Sequence, residues 1–194
     1  MTGRIEKLQQ EYEIDIRWRA FPLNPDIPPE GVPLDRYAAE RLMDVGAMQR
    51  RLKQAAAEAG LPFNDIHTLY NTRLAQELSA WAETVDAGSA FHHSVFAANF
   101  IYGKNISDPV VLEELAVSAG LDGNAAADIL KTRSFMGPVD RDWAIARERE
   151  VMVVPTLMLG HDRLAGAKPY EAMSRLMEKH GVPRHRGAYH VGVS

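Results

Sequence analysis

The stretch Val151-Met152-Val153-Val154-Pro155-Thr156-Leu157-Met158-Leu159 is where the fold becomes readable. It is a continuous apolar run of the kind that forms a strand buried on both faces. After it, Gly160-His161-Asp162 makes a turn and Arg163 to Ala165 reads as a short return strand. Pro169 to His180 then reads as a helix closed by Gly181.

Upstream of that run the periodicity is helical. Leu34 to Ala59 carries Tyr37, Leu42, Val45, Met48, Leu52 and Ala55 at three- and four-residue steps, which predicts one long helix ended by Gly60. A second helix follows Asn71 and Thr72, with Leu74, Leu78, Trp81, Ala82 and Val85 on one face up to Gly88. Ser89 is placed to cap a third, through Phe91, Val95, Phe96 and Phe100 to Gly103. Ser107-Asp108-Pro109 is a cap followed by proline at the first helical position, and it opens a fourth helix that ends at Gly120. Ala125 to Thr132 and Asp140 to Glu150 complete the helical block.

Ahead of the block, Ile14, Ile16 and Trp18 alternate with Asp15, Arg17 and Arg19, which predicts a half-buried strand to Phe21. Pro22, Pro25, Pro28, Pro29 and Pro33 then impose an extended loop, because each fixes φ and removes a donor. Thr2 to Tyr12 reads as the tail of an amphipathic helix. The expected architecture is α/β, a sheet domain of residues 1–33 and 151–183 with an inserted helical domain of residues 34–150 and a tail of residues 184–194.

Composition narrows the function. The 194 residues are 46% hydrophobic and 25% charged, an ordinary globular balance. A net charge of -4 supplies no broad positive field for phosphates, so nucleic acid is not an expected partner. No apolar run is long enough to span a membrane, and Met1 to Gln10 lack an apolar signal core, so the expectation is a cytoplasmic protein. With no cysteine in the sequence, disulfides, zinc-thiolate sites, a Cys nucleophile and dithiol chemistry on these residues are all excluded. The seven histidines fall in no metal-ligating spacing: His92 and His93 are adjacent, and His185 and His190 lie in the expected tail.

Three stretches carry a family resemblance: Trp18-Arg19-Ala20-Phe21-Pro22-Leu23-Asn24-Pro25-Asp26, Asn71-Thr72-Arg73-Leu74-Ala75, and Val154-Pro155-Thr156 followed by Leu164-Ala165-Gly166-Ala167-Lys168-Pro169. In order and spacing they resemble the DsbA-like branch of the thioredoxin superfamily, within the group of polyketide-biosynthesis dithiol-disulfide isomerases and 2-hydroxychromene-2-carboxylate isomerases. The resemblance implies a thioredoxin-like sheet interrupted by a helical lid. It also implies a first strand and a Cys-x-x-Cys, or a Ser counterpart, upstream of the helix that Gly3 to Leu8 resembles. That strand would lie centrally, between the segment Ile14 to Phe21 and the run Met152 to Leu159. Without it both would hold unpaired backbone groups, each costing on the order of 1 to 3 kcal/mol if buried. Direct antiparallel pairing of the two segments, or strands lent by a second subunit, is the expected compensation, and a homodimer is the expected partner state.

The resemblance also assigns candidate binding residues. It implies a cis Val154-Pro155 bond, with the Val154 backbone and Thr156 beside a bound extended peptide or small thiol ligand; the plainer reading is a proline marking a strand entry. Gly166, Ala167 and Lys168 stand where glutathione-using relatives hold the γ-glutamyl carboxylate at a helix N-terminus, although Ala167 and Lys168 replace the hydroxyl and carboxylate found in some of them. Gly166 alone could equally serve a tight turn. Asn24 could offer its amide to a peptide, or form an Asx turn ahead of Pro25. Relatives continue Asn71-Thr72-Arg73 to Ala-His, whereas here the chain reads Ala75-Gln76. Trp81, Phe91, Phe96 and Phe100 could line a hydrophobic cleft, although helical spacing favours core. Three functions follow: a DsbA-like oxidoreductase or isomerase with no catalytic cysteine in this chain, a glutathione-dependent isomerase or transferase, and a non-catalytic peptide-binding dimer.

Overall fold

The Cα framework of the computed structural model divides into two units, residues 1–19 with 145–194 and residues 20–144. Residues 2–58 and 60–185 are described.

In the first unit, helix α1 (Thr2–Glu11) packs on helix α9 (Tyr170–Lys179). Ile5, Leu8 and Tyr12 from one side and Met173, Leu176 and Met177 from the other are buried in one cluster, the apolar stripes of two amphipathic helices closing on each other. Tyr12 is fully buried, and its hydroxyl meets Ser174 Oγ at 2.7 Å and donates to Glu178 Oε1 at 3.2 Å. Strands β3 (Thr156–Leu159) and β4 (Asp162–Ala165) form an antiparallel hairpin, with Leu157 opposite Leu164 and Leu159 opposite Asp162. Leu157, Leu159 and Leu164 pack against the helix cluster.

The second unit is helical. Helices α4 (Arg73–Thr84), α5 (Gly88–Phe100), α6 (Pro109–Ser118) and α7 (Gly123–Thr132) surround a core that includes Leu78, Phe91, Leu112 and Ile129, and α8 (Met136–Glu148) begins here. Asp108 and Asp122 cap α6 and α7, accepting from the amides of Val110 at 2.9 Å and Ala125 at 3.0 Å. Two-residue strands β1 (Val32–Pro33) and β2 (Thr68–Leu69) pair antiparallel, and the short helix α2 (Leu34–Ala39) and the longer α3 (Val45–Glu58) follow β1.

Several expectations give way. Leu34 to Ala59 is not one helix, because α2 ends in a reversal: the Met43 amide donates to the Ala38 carbonyl and Leu42 takes φ +52. Asp44 then accepts from the Ala47 amide at 2.8 Å and starts α3. Ala87, not Ser89, stands at the N-cap of α5. Residues 20–33 fall with the helical unit rather than the sheet unit. The Asn71 amide holds the carbonyls of Pro25 and Ile27 there, and Asn105 and Ser107 hold that of Pro29.

The strand expected over Ile14 to Phe21 is absent, and so is its direct pairing with the 152–159 run. The Ile14 amide turns back to the Tyr12 carbonyl, and the Glu13 amide donates to Pro183 next to a single antiparallel bridge between Tyr12 and Arg184. The alternation survives as burial: Ile14 and Ile16 pack on the α1/α9 cluster while Asp15 and Arg17 are exposed. Period two there reports which face is inward, not a ladder. The apolar run forms strand only from Thr156 onward; Met152 is 84% exposed. Arg184 and His185, expected in the tail, are anchored: Arg184 pairs with Glu11 and Glu178, and the His185 amide donates to Glu11. The rest of that tail, with His190, lies outside the described residues.

Candidate functional site: the open edge beside Pro155

The approach to Pro155 is set by the end of α8. Glu150 takes φ +50, its amide donates to the Arg147 carbonyl and that of Val151 to Ala146, a reversal that releases the chain sharply from the helix. Arg163 on β4 fastens this exit, its guanidinium donating to the carbonyls of Arg149 at 3.0 Å and Glu150 at 3.1 Å. Met152, Val153 and Val154 then run exposed into a cis Val154-Pro155 peptide bond. The Thr156 hydroxyl donates back to the Val153 carbonyl.

The register of the hairpin decides which backbone groups are free. Leu159 and Asp162 flank the two-residue loop, Leu157 faces Leu164, and the Gly166 amide donates to the Pro155 carbonyl at 2.8 Å. In an antiparallel pair closed by such a loop, the flanking residues exchange hydrogen bonds and every second pair does so thereafter. Residues 155, 157 and 159 therefore address β4. Thr156 and Met158 turn their N-H and C=O groups to the opposite edge, where no strand lies among the described residues. That edge borders a groove of about 450 Å³, lined also by Ile14, Ile16, Met177 and Val182.

One end of the groove carries charge. His180 Nε2 and Lys179 Nζ lie 2.7 and 2.6 Å from Asp162 Oδ2, and the lysine and then the histidine hold that carboxyl below its usual range.

The structure joins Val154, Pro155 and Thr156 to Gly166 through the bond from the Gly166 amide to Pro155. Gly166, at φ +82, then turns so that its own carbonyl accepts from the Lys168 amide at 2.9 Å. Two of the three amides expected to cradle a carboxylate, those of Gly166 and Lys168, are thus spent on backbone, and the Lys168 carbonyl accepts from Arg4 at 3.1 Å. These residues do not fit the glutathione cradle that relatives place here. Ala167 and the Lys168 side chain are exposed.

Asn24 belongs to the helical unit, where its side-chain oxygen accepts from the Tyr37 hydroxyl at 2.7 Å. Asn71 accepts from the Arg73 amide at 2.8 Å in a turn just ahead of α4, whose N-cap position, Thr72, makes no side-chain cap bond. Gln76, in the place of the relatives' histidine, bonds the Phe21 carbonyl and accepts from Trp143, which makes it a buttress within the helical unit. Phe91 is buried and Trp81 packs against the core, as helical spacing favours. Phe96 is half exposed, in a file with His92 and Phe100 at centroid distances of 4.5 and 5.1 Å. Burial, and then His93, lower the His92 pKa. Among the described residues no group of His, Asp or Glu is placed to hold a metal ion, and no helix is long and apolar enough to cross a membrane.

A hairpin on two helices with a cis-proline at its entry, together with a mainly helical second unit, defines a thioredoxin-like protein with a helical insertion. The DSBA-like thioredoxin domain profile matches residues 1–178, and the chain belongs to that family. Its backbone is similar to the crystal structure of a probable DsbA oxidoreductase from Streptomyces coelicolor, with a TM-score of 0.83 and 23% identity over 100% of this chain and 87% of that one. Among curated proteins none matches.

Proposed function

We propose that this chain serves thiol-disulfide exchange by holding an extended polypeptide along the open edge at Val154, Thr156 and Met158. Membership of the DSBA-like thioredoxin family supports that reaction class. The exchanging thiolate is not among these 194 residues, which contain no cysteine, so their part is to bind and orient. The observation that supports this reading is the exposed Val154 entering a cis bond to Pro155, followed by two backbone positions, Thr156 and Met158, that turn from β4 toward an edge with no strand among the described residues. Such an edge offers main-chain bonds for affinity and alternate side-chain positions for selectivity.

The test is calorimetric titration with a decapeptide of alternating apolar and polar residues carrying one S-methylated cysteine. Saturable binding is expected. Met158→Pro removes one donor from the open edge and leaves the bonds to β4 in place, so it should weaken binding about tenfold, the cost of one main-chain bond of roughly 1.4 kcal/mol. Met158→Leu should bind normally. Absence of binding to the unaltered chain, or equal binding by the proline variant with an unchanged melting curve, rejects the reading.

A further inference from the structure

We infer that the groove between the end of α8 and β4 is a carboxylate subsite, in which Arg147 and Arg163 hold an acidic side chain of the polypeptide bound at Val154. The subsite rests on the peptide site proposed above and gives it a substrate preference.

Ala146, Arg147, Glu150, Val151, Met152 and Arg163 line this groove of about 450 Å³, a volume within the range of ligand sites. All six belong to one unit. The groove is built from the helix exit and from β4, which lies on the other side of β3 from its open edge, so it takes nothing from that edge.

Arg163 is a donor already held in place. Its Nη1 is engaged by the carbonyls of Arg149 at 3.0 Å and Glu150 at 3.1 Å, while Nε and Nη2 find no acceptor among the described residues. Those two nitrogens form one edge of the planar fork, whose parallel N-H groups match the two oxygens of a carboxylate. A guanidinium fixed beforehand loses less freedom for each bond it then makes. Arg147, in the last turn of α8, lines the same groove, and among the described residues its side chain makes no hydrogen bond or ion pair. Glu150 lines the groove as well but pairs with neither arginine among the described residues, so both cations keep their donors for a ligand. Two positive charges against one negative leave the groove net cationic, and Ala146, Val151 and Met152 offer apolar contact to the methylenes of an acidic side chain.

The subsite lies within reach of the proposed peptide path. Met152 on its wall is two residues from Val154, at most about 7 Å along the chain. The acidic residue therefore falls about two positions from the peptide residue held at Val154.

Calorimetric titration with two series of decapeptides tests the subsite. Each peptide carries one S-methylated cysteine, and either glutamate or glutamine at successive positions on both sides of it. At the best position glutamate should bind about fivefold tighter than glutamine at low ionic strength. The preference should fade at ~1 M salt, where screening acts within about 3 Å. Arg147→Gln should abolish it with an unchanged melting curve. Arg147→Glu should reverse it in favour of lysine at the same position, an outcome that a purely structural role for Arg147 would not produce. Arg163 stays intact in these variants because it also fastens the exit of α8. Equal binding of the glutamate and glutamine series, or a glutamate preference that survives Arg147→Glu, overturns the subsite and leaves the peptide site standing. If no peptide of either series binds, the peptide site falls and the subsite with it.

Discussion

Glu77 Oε2 lies 2.7 Å from Arg133 Nε, and Glu77 Oε1 lies 2.6 Å from Arg73 Nε. One buried carboxylate on α4 thereby holds the first turn of its own helix and the residue that ends α7. Arg133 takes φ +56 there, and Arg73 continues to Asp140 at 2.6 Å and lies over the Trp143 ring.

Neutralising that carboxylate strands two guanidinium groups. Glu77→Gln keeps the shape and removes the charge, and should destabilise the helical unit by about 3 kcal/mol, the lower part of the range for breaking a buried pair, because Arg133 is partly solvated. Chemical denaturation of the two proteins measures this. A loss below about 0.5 kcal/mol, the size of an ordinary surface change, rejects a structural role for the pair.

The same group sets an acid limit. Burial pushes the Glu77 carboxyl up, but its bonds to Arg133 and Arg73 outweigh that and hold it below its ordinary value of 4.5. A carboxyl lowered in the folded state contributes stability that is complete above its unfolded pKa and is lost as pH falls through the folded one. The stability gap between the unaltered protein and Glu77→Gln should therefore be constant at neutral pH and close as pH drops below 4.5. A gap that is unchanged down to acid unfolding contradicts the lowered pKa.

Local signals in the sequence carried over directly into structure. Asp108 before Pro109 is a cap because one carboxylate reaches the nearby amide of Val110, and Gly160-His161 closes a hairpin between immediate neighbours. What failed needed a distant partner. Ile14 and Ile16 alternate as a strand does, yet the backbone beside them found Pro183 instead of a ladder, and periodicity cannot say whether a neighbour exists. Val32 and Leu69 pair over two residues, too few for any period to register. At the site, the resemblance singled out Val154, Pro155 and Gly166 as neighbours in function, and the Gly166-to-Pro155 bond joins two of them. The directions of Thr156 and Met158 follow only from the hairpin register.

Gly31 is fixed by its surroundings as well as its backbone. It takes φ +84, and an added Cβ would lie 2.6 Å from Tyr70 Cδ1 and 2.8 Å from Thr68 Cγ2. Gly31→Ala should cost about 2 kcal/mol, since strain at positive φ and a side-chain clash act together beside the β1/β2 pair. Thermal unfolding reads it, and an unchanged midpoint refutes the account.

Leu42 offers the opposite sign. It is 97% exposed and sits at φ +52, in the left-handed position that ends α2, with the Met43 amide closing on Ala38. A side chain in that conformation costs about 1 kcal/mol that glycine avoids, and glycine gives back part of the gain through the greater freedom of its unfolded chain. Leu42 buries nothing that offsets the strain. Leu42→Gly should therefore stabilise the protein by roughly 0.5 kcal/mol, whereas Leu42→Ala, which keeps the Cβ, should leave stability unchanged. Equilibrium denaturation of both variants separates the causes: a gain shared by alanine points to removal of an exposed apolar chain, and a loss with glycine means that the reversal does not form in solution.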